Sequence, residues 1–317
     1  MQTVLVTGGA GFIGSYTVKR LIGEGHKVII VDNFNKYYDP DLKRARINKL
    51  LFGLRFKLYE KDIADFESLK EIFKENRIDV VIHQAAQAGV RYSLENPFVY
   101  EKSNIKGTLS ILECCKEFKI KKIIFASSSS VYGEKSKIPF TEEDLTDNPV
   151  SLYAATKKST EVICHSYHSL YKIPMIGLRY FTVYGPWGRP DMALFKFTER
   201  ILKNKPIDVY GRGEMKRDFT YIDDIIEGTI RAFKKDFDFE IFNLGYGSPS
   251  GLMEFIEIIE SCLGKKTKKN FLPMQKGDVP VTYAGISKAK EKLGWQPVVS
   301  LKEGVEKFVR WYEEYYK

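Results

Sequence analysis

Thr3-Val-Leu-Val-Thr-Gly-Gly-Ala-Gly-Phe-Ile-Gly14 is the stretch of sequence that decides the fold. Its first residues are apolar and β-branched, which predicts a buried strand. Gly8, Gly11 and Gly14 follow at the spacing GxxGxxG, and a helical pattern begins directly after them. Glycines let the backbone approach a ligand closely, and the amides of a helix N-terminus attract negative charge. This strand–turn–helix stretch therefore predicts a binding site for a dinucleotide pyrophosphate.

The same alternation of strand and helix continues through the first 180 residues. The predicted strands are 3–8, 27–32, 55–60, 79–83, 122–127 and 174–180. Helical periods separate them at 12–24, 40–52, 65–76, 98–119 and 151–171. Apolar strands joined by helices indicate a parallel sheet that is covered on both faces. We therefore expect an α/β fold, with a Rossmann-type doubly wound sheet as domain 1–180.

The pattern loosens after residue 180, where TVYGPWGRP (182–190) predicts a loop that leaves the sheet. Further helices are predicted at 191–203, 223–235, 251–263, 286–293 and 300–316, with short strands near 206–210 and 240–244. We interpret 181–317 as a smaller mixed α/β cap that binds the substrate. Some of this chain, near 219–245, is expected to return to the first domain. The cleft between the two parts is the expected site.

Bulk composition excludes several classes of function. The formal net charge of the 317 residues is +9, but its lysines are scattered, with no aromatic-interleaved basic stripe for nucleic acid. No apolar run approaches the roughly 20 residues that span a bilayer, and the N-terminus begins directly on a strand without a signal sequence. The four cysteines have no metal-ligand spacing. We expect a cytoplasmic enzyme without a metal, nucleic-acid or membrane partner.

A carboxylate at the end of the second strand indicates which dinucleotide binds. Asp32 stands where it would accept hydrogen bonds from the adenosine ribose, and it would repel a 2′-phosphate. The next residue is Asn33 rather than an arginine, so the sequence favours NAD over NADP. Asp62 and Ile63 after the third strand are candidates to flank the adenine. Small residues after the fourth strand are candidates to lie along the cofactor, namely Ala85, Ala86 and Gln87.

Tyr153 and Lys157 are four residues apart on a predicted helix and so share one face. A cation beside a phenol favours the phenolate, so Lys157 is expected to lower the pKa of Tyr153. Ser127, Ser128, Ser129 and Ser130 end the fifth strand at the ligand-binding edge of the sheet. Together with a dinucleotide, the tyrosine, the lysine and the serines predict the oxidation of an alcohol. The tyrosine would remove the proton of the hydroxyl, and the nicotinamide would remove the hydride from the same carbon centre.

TGGAGFIG, SSSSVYG, YAATK and RDFTYIDD together resemble the extended short-chain dehydrogenase/reductase family over nearly the whole chain. Within it, HQAAQAGVRYSLENP, SNIKGTLSILE, SLYAATKK and TVYGPWGRPDMALFKF resemble UDP-glucuronate 4-epimerases. The resemblance implies oxidation at C4′, rotation of a 4-keto sugar and return of hydride to its other face, with tightly bound NAD recycled each turnover. It implies catalytic roles for Tyr153, Lys157 and Ser128, with Ser129 and Ser130 as alternatives for the hydroxyl. The implied cofactor residues are Gly8, Gly11, Phe12, Ile13, Gly14, Asp32, Asn33, Asp62, Ile63, Ala85, Ala86, Gln87, Asn104, Tyr153, Lys157 and Tyr180.

The residues before VYG separate related reactions within this family. Related dehydratases and decarboxylases carry acidic residues there, whereas this chain has Ser129 and Ser130, which favours epimerisation. A 4-keto glucuronate is a β-keto acid that loses carbon dioxide easily, so its carboxylate must be held by hydrogen-bond donors. Arg189, Thr182 and the serines are the candidates, and Arg189 would form a charge-assisted pair. Arg217, Asp278 and Arg91 are the candidates for the UDP end; a structural salt bridge is the alternative for the last two.

Two other functions remain open from the sequence. A UDP-glucose/UDP-galactose 4-epimerase would use the same machinery without the carboxylate contact. A non-catalytic NAD-sensing protein would share the fold, although such proteins typically lose the tyrosine or lysine that this chain keeps. The fold resemblance also suggests a homodimer in which helices 98–119 and 151–171 form a four-helix bundle.

Overall fold

A computed structural model describes residues 1–134 and 137–316. Seven parallel strands form the central sheet in the order β11-β6-β5-β4-β1-β2-β3. Their bounds are β1 Thr3–Thr7, β2 Lys27–Asp32, β3 Lys57–Glu60, β4 Val80–His83, β5 Lys122–Ser128, β6 Met175–Tyr180 and β11 Phe239–Leu244. The chain runs outward from β1 in both directions, so the predicted doubly wound α/β fold is confirmed.

Alternating side chains along each strand supply the core on both faces of the sheet. In β1, Val4 and Val6 join one apolar cluster while Leu5 joins the other, and all three are fully buried. The covering helices of the first part are α1 Phe12–Gly23, α2 Pro40–Ala45, α3 Phe66–Glu75, α4 Tyr92–Glu95, α5 Pro97–Tyr100, α6 Gly107–Glu117 and α7 Leu152–Tyr171. Strands buried on both faces explain the nearly continuous apolar runs in the sequence.

Two predicted helices are less regular than expected. The segment 40–52 contains α2 followed by a π-helical turn, Arg46–Leu50, and the segment 98–119 is divided by a second π-helical turn, Glu101–Lys106. Such turns insert a residue into the helix and shift the face that its side chains present, often at functional sites. Periodicity predicts the helix but not this local widening.

The second part of the chain builds the cap and also returns to the sheet. Its elements are β7 Thr182–Tyr184, α8 Ala193–Leu202, β8 Ile207–Tyr210, β9 Lys216–Arg217, β10 Phe219–Tyr221, α9 Ile222–Lys234, β12 Ser250–Gly251, α10 Leu252–Leu263, β13 Lys269–Leu272 and α11 Leu301–Tyr316. Strand β11 pairs in parallel with β6, and α9 packs against α1. Three two-stranded sheets, β10-β7, β12-β9 and β13-β8, complete the fold.

Two further features of the described residues concern membrane-spanning helices and metal ions. No helix between residues 1 and 134 or 137 and 316 is both long and apolar enough to cross a membrane. The same ranges contain no group of three or more His, Cys, Asp or Glu side chains placed to hold a metal ion.

Candidate active site

One cavity of about 890 Å³ lies between the carboxyl ends of the strands and the cap. Its wall brings together the glycine turn, the end of β2, the segment after β4, the serine run, α7 and the loop after β7. Asn104 is the one predicted site residue that does not line this cavity. The other predicted site residues all line it: Gly8, Gly11, Phe12, Ile13, Gly14, Asp32, Asn33, Asp62, Ile63, Ala85, Ala86, Gln87, Arg91, Ser128, Ser129, Ser130, Tyr153, Lys157, Tyr180, Thr182, Arg189, Arg217 and Asp278.

The glycine turn has no room for larger residues. Gly8 has φ +70°, and a Cβ there would lie 2.8 Å from the amide nitrogen of Ala85. A Cβ on Gly14 would clash with the carbonyl oxygen of Gly8, and one on Gly11 would lie 2.9 Å from the same oxygen. Gly11 is the N-cap of α1, so the first free amides of that helix face this turn. The turn has the close backbone approach and the positive field that a pyrophosphate needs.

Asp32 is held in place by backbone amides at the end of β2. Its two carboxylate oxygens accept hydrogen bonds from Ala10 N at 3.1 Å and Phe34 N at 2.9 Å. Burial raises its pKa, while the nearby cation of Lys43 and these amides oppose the rise. Each oxygen keeps a second lone pair for a ribose hydroxyl. Nearby, Asp62 forms an ion pair with Lys102 at 2.9 Å.

The segment after β4 is fixed from behind by Asn104. In the second π-helical turn, the Asn104 amide accepts from Gln87 N at 2.7 Å and donates to Gln87 O at 3.1 Å and Thr156 Oγ1 at 2.9 Å. Asn104 is 1% exposed. The sequence interpretation made it a cofactor contact, whereas the structure places it behind the wall, where it positions Gln87.

Tyr153 lies on α7 and lines the cavity, and the Ser128 hydroxyl is near enough to influence the pKa of its phenol. Burial raises the pKa of this phenol, and the Ser128 hydroxyl and the charge of Arg189 act to lower it. The expectation that Lys157 lowers the pKa of Tyr153 is wrong for this structure. The Lys157 ammonium donates instead to the carbonyl oxygen of Ala126 at 2.8 Å, and burial lowers its own pKa to about 8.

The four serines have separate environments that the sequence left unresolved. Ser127 Oγ donates to Glu161 Oε1 at 2.5 Å, and Glu161 forms a buried ion pair with Arg179. Ser128 Oγ contacts Ser130 Oγ and accepts from Ser130 N, both at 3.2 Å. Ser129 and Ser130 lie on a 3₁₀ turn that also lines the cavity. The hydroxyl of Ser127 is thus occupied by a buried carboxylate, and Ser128 is the serine that influences the pKa of Tyr153.

Arg189 belongs to a cluster that the sequence interpretation only partly identified. Its guanidinium donates to both oxygens of Asp191, Nε to Oδ1 at 3.0 Å and Nη2 to Oδ2 at 2.5 Å. Tyr37 OH donates to Asp191 Oδ2 at 3.0 Å. Burial acts to lower the pKa of Arg189, but the Asp191 carboxylate outweighs it and the pKa is raised. The cluster thus presents a fixed cation to the cavity, and the Arg189 side chain is about 24% exposed.

Further cations line the cap end of the cavity. Arg217 lies in β9 and donates to Lys216 O and Pro280 O. Burial lowers its pKa, with Asp278 opposing. Arg91 and Asp278, predicted as separate nucleotide contacts, form an ion pair at 3.2 Å. Both also line the cavity, so the salt-bridge alternative and a ligand contact are compatible.

Sequence reasoning missed the partners of these groups. Tyr37, Asp191 and Lys196 line the cavity, and Arg46 lies behind it with no exposed surface. Asp191 stands two residues after Arg189 in the motif TVYGPWGRPDMALFKF, so this spacing could have identified it as the partner of Arg189. Tyr37 precedes the predicted helix 40–52 and Arg46 lies within it, and nothing in their local pattern marks either residue.

Residues 4–245 match the model of the NAD dependent epimerase/dehydratase family, and the chain belongs to that family. A UDP-glucuronate 4-epimerase of Thermodesulfobacterium geofontis is 50% identical to it over 315 residues, 99% of this chain and 97% of the relative. The structure is similar to that of a UDP-glucuronic acid 4-epimerase from Bacillus cereus in complex with UDP-glucuronic acid and NAD. Their TM-score is 0.93 at 40% identity, covering 99% of this chain and 100% of the other. A UDP-glucose 4-epimerase from Thermotoga maritima with UDP-glucose gives 0.91 at 36%, with coverage of 99% and 100%.

Proposed function

We propose that the chain catalyses the NAD-dependent 4-epimerisation of UDP-glucuronate to UDP-galacturonate through a transient 4-keto sugar. The observation that carries this proposal is the single cavity in which the glycine turn, Tyr153 with Ser128, and the Arg189 cluster face one another. A dinucleotide site, a proton-transfer group and a fixed cation are the three parts that this reaction needs. Similarity to a UDP-glucuronate 4-epimerase over nearly the full length supports the same substrate.

The chain fits NAD at the glycine turn, where a Cβ at Gly8, Gly11 or Gly14 would collide with backbone atoms of the protein, so only glycine allows the tight turn on which a pyrophosphate would lie. Asp32 would hold the adenosine ribose and disfavours a 2′-phosphate by its charge. When bound, NAD supplies the acceptor that takes a hydride from C4′ and returns it. Tight retention of NAD lets one molecule serve each turnover.

Proton transfer is assigned to Tyr153, assisted by Ser128. Tyr153 takes the proton of the 4′-hydroxyl and later returns it, and Ser128 orients both oxygens by hydrogen bonding. Lys157, held by Ala126 O at 2.8 Å, provides a cation on the same helix face and a donor for the nicotinamide ribose. Tyr153 must be a phenolate to take this proton, and the Ser128 hydroxyl and the charge of Arg189 favour that form because both act to lower its pKa against the effect of burial.

The sugar carboxylate is assigned to Arg189, with Thr182, Ser129 and Ser130 as further donors. A charge-assisted pair keeps negative charge on the carboxylate and so opposes loss of carbon dioxide from the keto intermediate. The UDP end is assigned to the cap, where Arg91, Arg217 and Asp278 line the cavity. Two arginines there match the charge of a diphosphate.

A UDP-glucose/UDP-galactose 4-epimerase is the second candidate, favoured by the similarity to the Thermotoga maritima enzyme. Its substrate has no carboxylate for Arg189. Non-catalytic NAD sensing is disfavoured because Tyr153 and Lys157 are both present on the cavity wall.

The test offers UDP-glucuronate and UDP-glucose separately to purified protein without added NAD, and follows both sugar products and carbon dioxide. We expect UDP-galacturonate from the first substrate. Turnover of UDP-glucose alone would overturn the glucuronate assignment, and carbon dioxide as the main product would overturn epimerisation. A Tyr153→Phe variant should lose about 10²- to 10⁴-fold in kcat, the usual contribution of general acid–base catalysis.

We also propose a homodimer formed through α6 and α7 as a four-helix bundle. Large apolar side chains are exposed on these helices and on α5 before them: Phe98 (84%), Leu109 (37%), Val162 (56%) and Leu170 (67%). Val162 and Leu170 are eight residues apart and so share one side of α7. Contiguous exposed apolar side chains are typical of an interaction surface.

A cytoplasmic location is proposed with it. It is supported by the four cysteines, all of which are free, as is usual for proteins of the reducing cytosol.

A further inference from the structure

Arg46 stands out as a fully buried cation, with 0% of its surface exposed. Its Nε donates to Trp187 O at 3.0 Å, and Nη2 donates to Trp187 O at 2.7 Å and Gly188 O at 3.3 Å. Its Nη1 donates to Ala10 O at 3.1 Å and Tyr38 OH at 2.7 Å. Across the described residues, no carboxylate lies within salt-bridge distance of it. All three nitrogens of the guanidinium thus donate hydrogen bonds, to backbone carbonyls of two loops and to one hydroxyl.

These two loops carry different parts of the site. Ala10 belongs to the glycine turn, and its amide holds Asp32. Trp187 and Gly188 directly precede Arg189. One guanidinium therefore joins the turn assigned to the pyrophosphate to the loop that carries the cation assigned to the sugar carboxylate. The two loops are otherwise about 175 residues apart along the chain.

The loop around Trp187 depends on its surroundings for its shape. Trp187 has φ +61°, a left-handed conformation that residues with a bulky side chain rarely adopt. Its ring lies against Trp311 at 5.2 Å and Tyr315 at 5.0 Å, and its carbonyl accepts twice from Arg46. Such a conformation persists only where neighbouring groups hold it. Loss of the Arg46 contacts would let the loop, and with it Arg189, move.

We propose that Arg46 is a positioning residue that couples occupancy of the dinucleotide turn to the placement of Arg189, and so sets the preference for a carboxylated sugar. The proposal rests on the proposed function for the identity of that sugar. Coupling of this kind is reciprocal, so a ligand at either loop favours the geometry that binds a ligand at the other.

The first test compares Arg46→Lys with Arg44→Lys. Arg44 is two residues away, but its side chain is half exposed and pairs with Glu60 at the surface. The two readouts are the ratio of kcat/KM for UDP-glucuronate to that for UDP-glucose, and the NAD that remains bound after gel filtration. Arg46→Lys should lower the ratio about 10-fold or more, because small misplacement of a binding group is costly, and should retain less NAD. Arg44→Lys should match the wild type. Equal ratios and equal NAD retention in a folded Arg46→Lys protein would overturn the proposal.

The second test needs no variant and no turnover. Hydrogen exchange of the full-length protein, freed of nucleotide, is measured with and without saturating ADP. ADP lacks the nicotinamide and its ribose, and slower exchange in residues 8–14 reports that it occupies the turn. We expect slower exchange in residues 185–192 as well. Protection of 8–14 with unchanged exchange in 185–192 would overturn the coupling, even if Arg46→Lys fails to fold. A wild-type protein that prefers UDP-glucose would refute the proposed function but leave this readout intact.

Discussion

Replacing Arg189 with methionine should separate the two candidate substrates. Asp191 holds Nε and Nη2 of Arg189 at 3.0 and 2.5 Å, which leaves Nη1 without a hydrogen-bond partner in the described chain. One charge-assisted hydrogen bond from it to a substrate carboxylate is worth about 1.5–3 kcal/mol. At about 1.4 kcal/mol per factor of ten, Arg189→Met should lower kcat/KM for UDP-glucuronate by about 10- to 150-fold.

The variant also leaves a carboxylate without its partner. Asp191 is only 24% exposed and would keep a single hydrogen bond, from Tyr37, so unfolding should become easier by about 1–3 kcal/mol. The double variant Arg189→Met/Asp191→Asn removes both charges and should recover most of that stability. Arg44→Met/Glu60→Gln is the matched control, because it removes an exposed pair of similar geometry, which should cost at most about 1 kcal/mol.

The assay measures kcat/KM for both nucleotide sugars together with urea unfolding of each variant. UDP-glucose should be affected less than about threefold in the double variant, since its sugar has no carboxylate for Arg189 to bind, and the opposite effects of Arg189 and Asp191 on the pKa of Tyr153 are removed together. An equal fall for both substrates would show that Arg189 acts on the nucleotide or on the fold. No fall for UDP-glucuronate would remove Arg189 from the carboxylate site.

Three further predictions follow from the same geometry. Gly14→Ala should lose bound NAD because its Cβ would clash with the Gly8 carbonyl. The control Gly23→Ala, on the same helix, meets nothing within 4 Å and should keep its NAD. The absorbance of the purified proteins measures the bound NAD. Because burial lowers the pKa of Lys157 to about 8, its cation is present below that pH, so kcat should fall as the pH rises through about 8; a Lys157→Met variant whose pH profile kept this limb would contradict the assignment. Val162→Glu should give a monomer by light scattering while the equally polar change Val298→Glu, at another exposed valine, leaves the dimer intact; a dimer in both would rule out the proposed bundle.

The sheet and the dinucleotide turn were predictable because their signals are local. A buried strand followed by three glycines and a helix leaves few arrangements, and every strand of the first 180 residues except the exposed edge strand β3 carries its own apolar run. The helix face shared by Tyr153 and Lys157 follows from a four-residue spacing. Their electrostatics did not follow, because desolvation by the whole cavity outweighs one neighbouring charge at Tyr153.

Long-range contacts account for most of what the sequence did not predict. Arg46 stands among lysines and arginines in LKRARINKL, where any of them would look like a surface cation. Only the folded chain brings its guanidinium to Trp187, 141 residues away. Likewise, four consecutive serines are equivalent in sequence, and the buried Glu161 distinguishes Ser127 from Ser128.

The proposed reaction is a reversible oxidation at C4′ by NAD that never leaves the protein. It is tested most directly with UDP-glucuronate that carries deuterium at C4′, incubated without added NAD and examined by NMR and mass spectrometry. We expect UDP-galacturonate that keeps its deuterium at C4′, with no hydrogen taken from solvent at that carbon. Loss of the label to solvent, or inversion at C4′ with hydrogen from water, would contradict it.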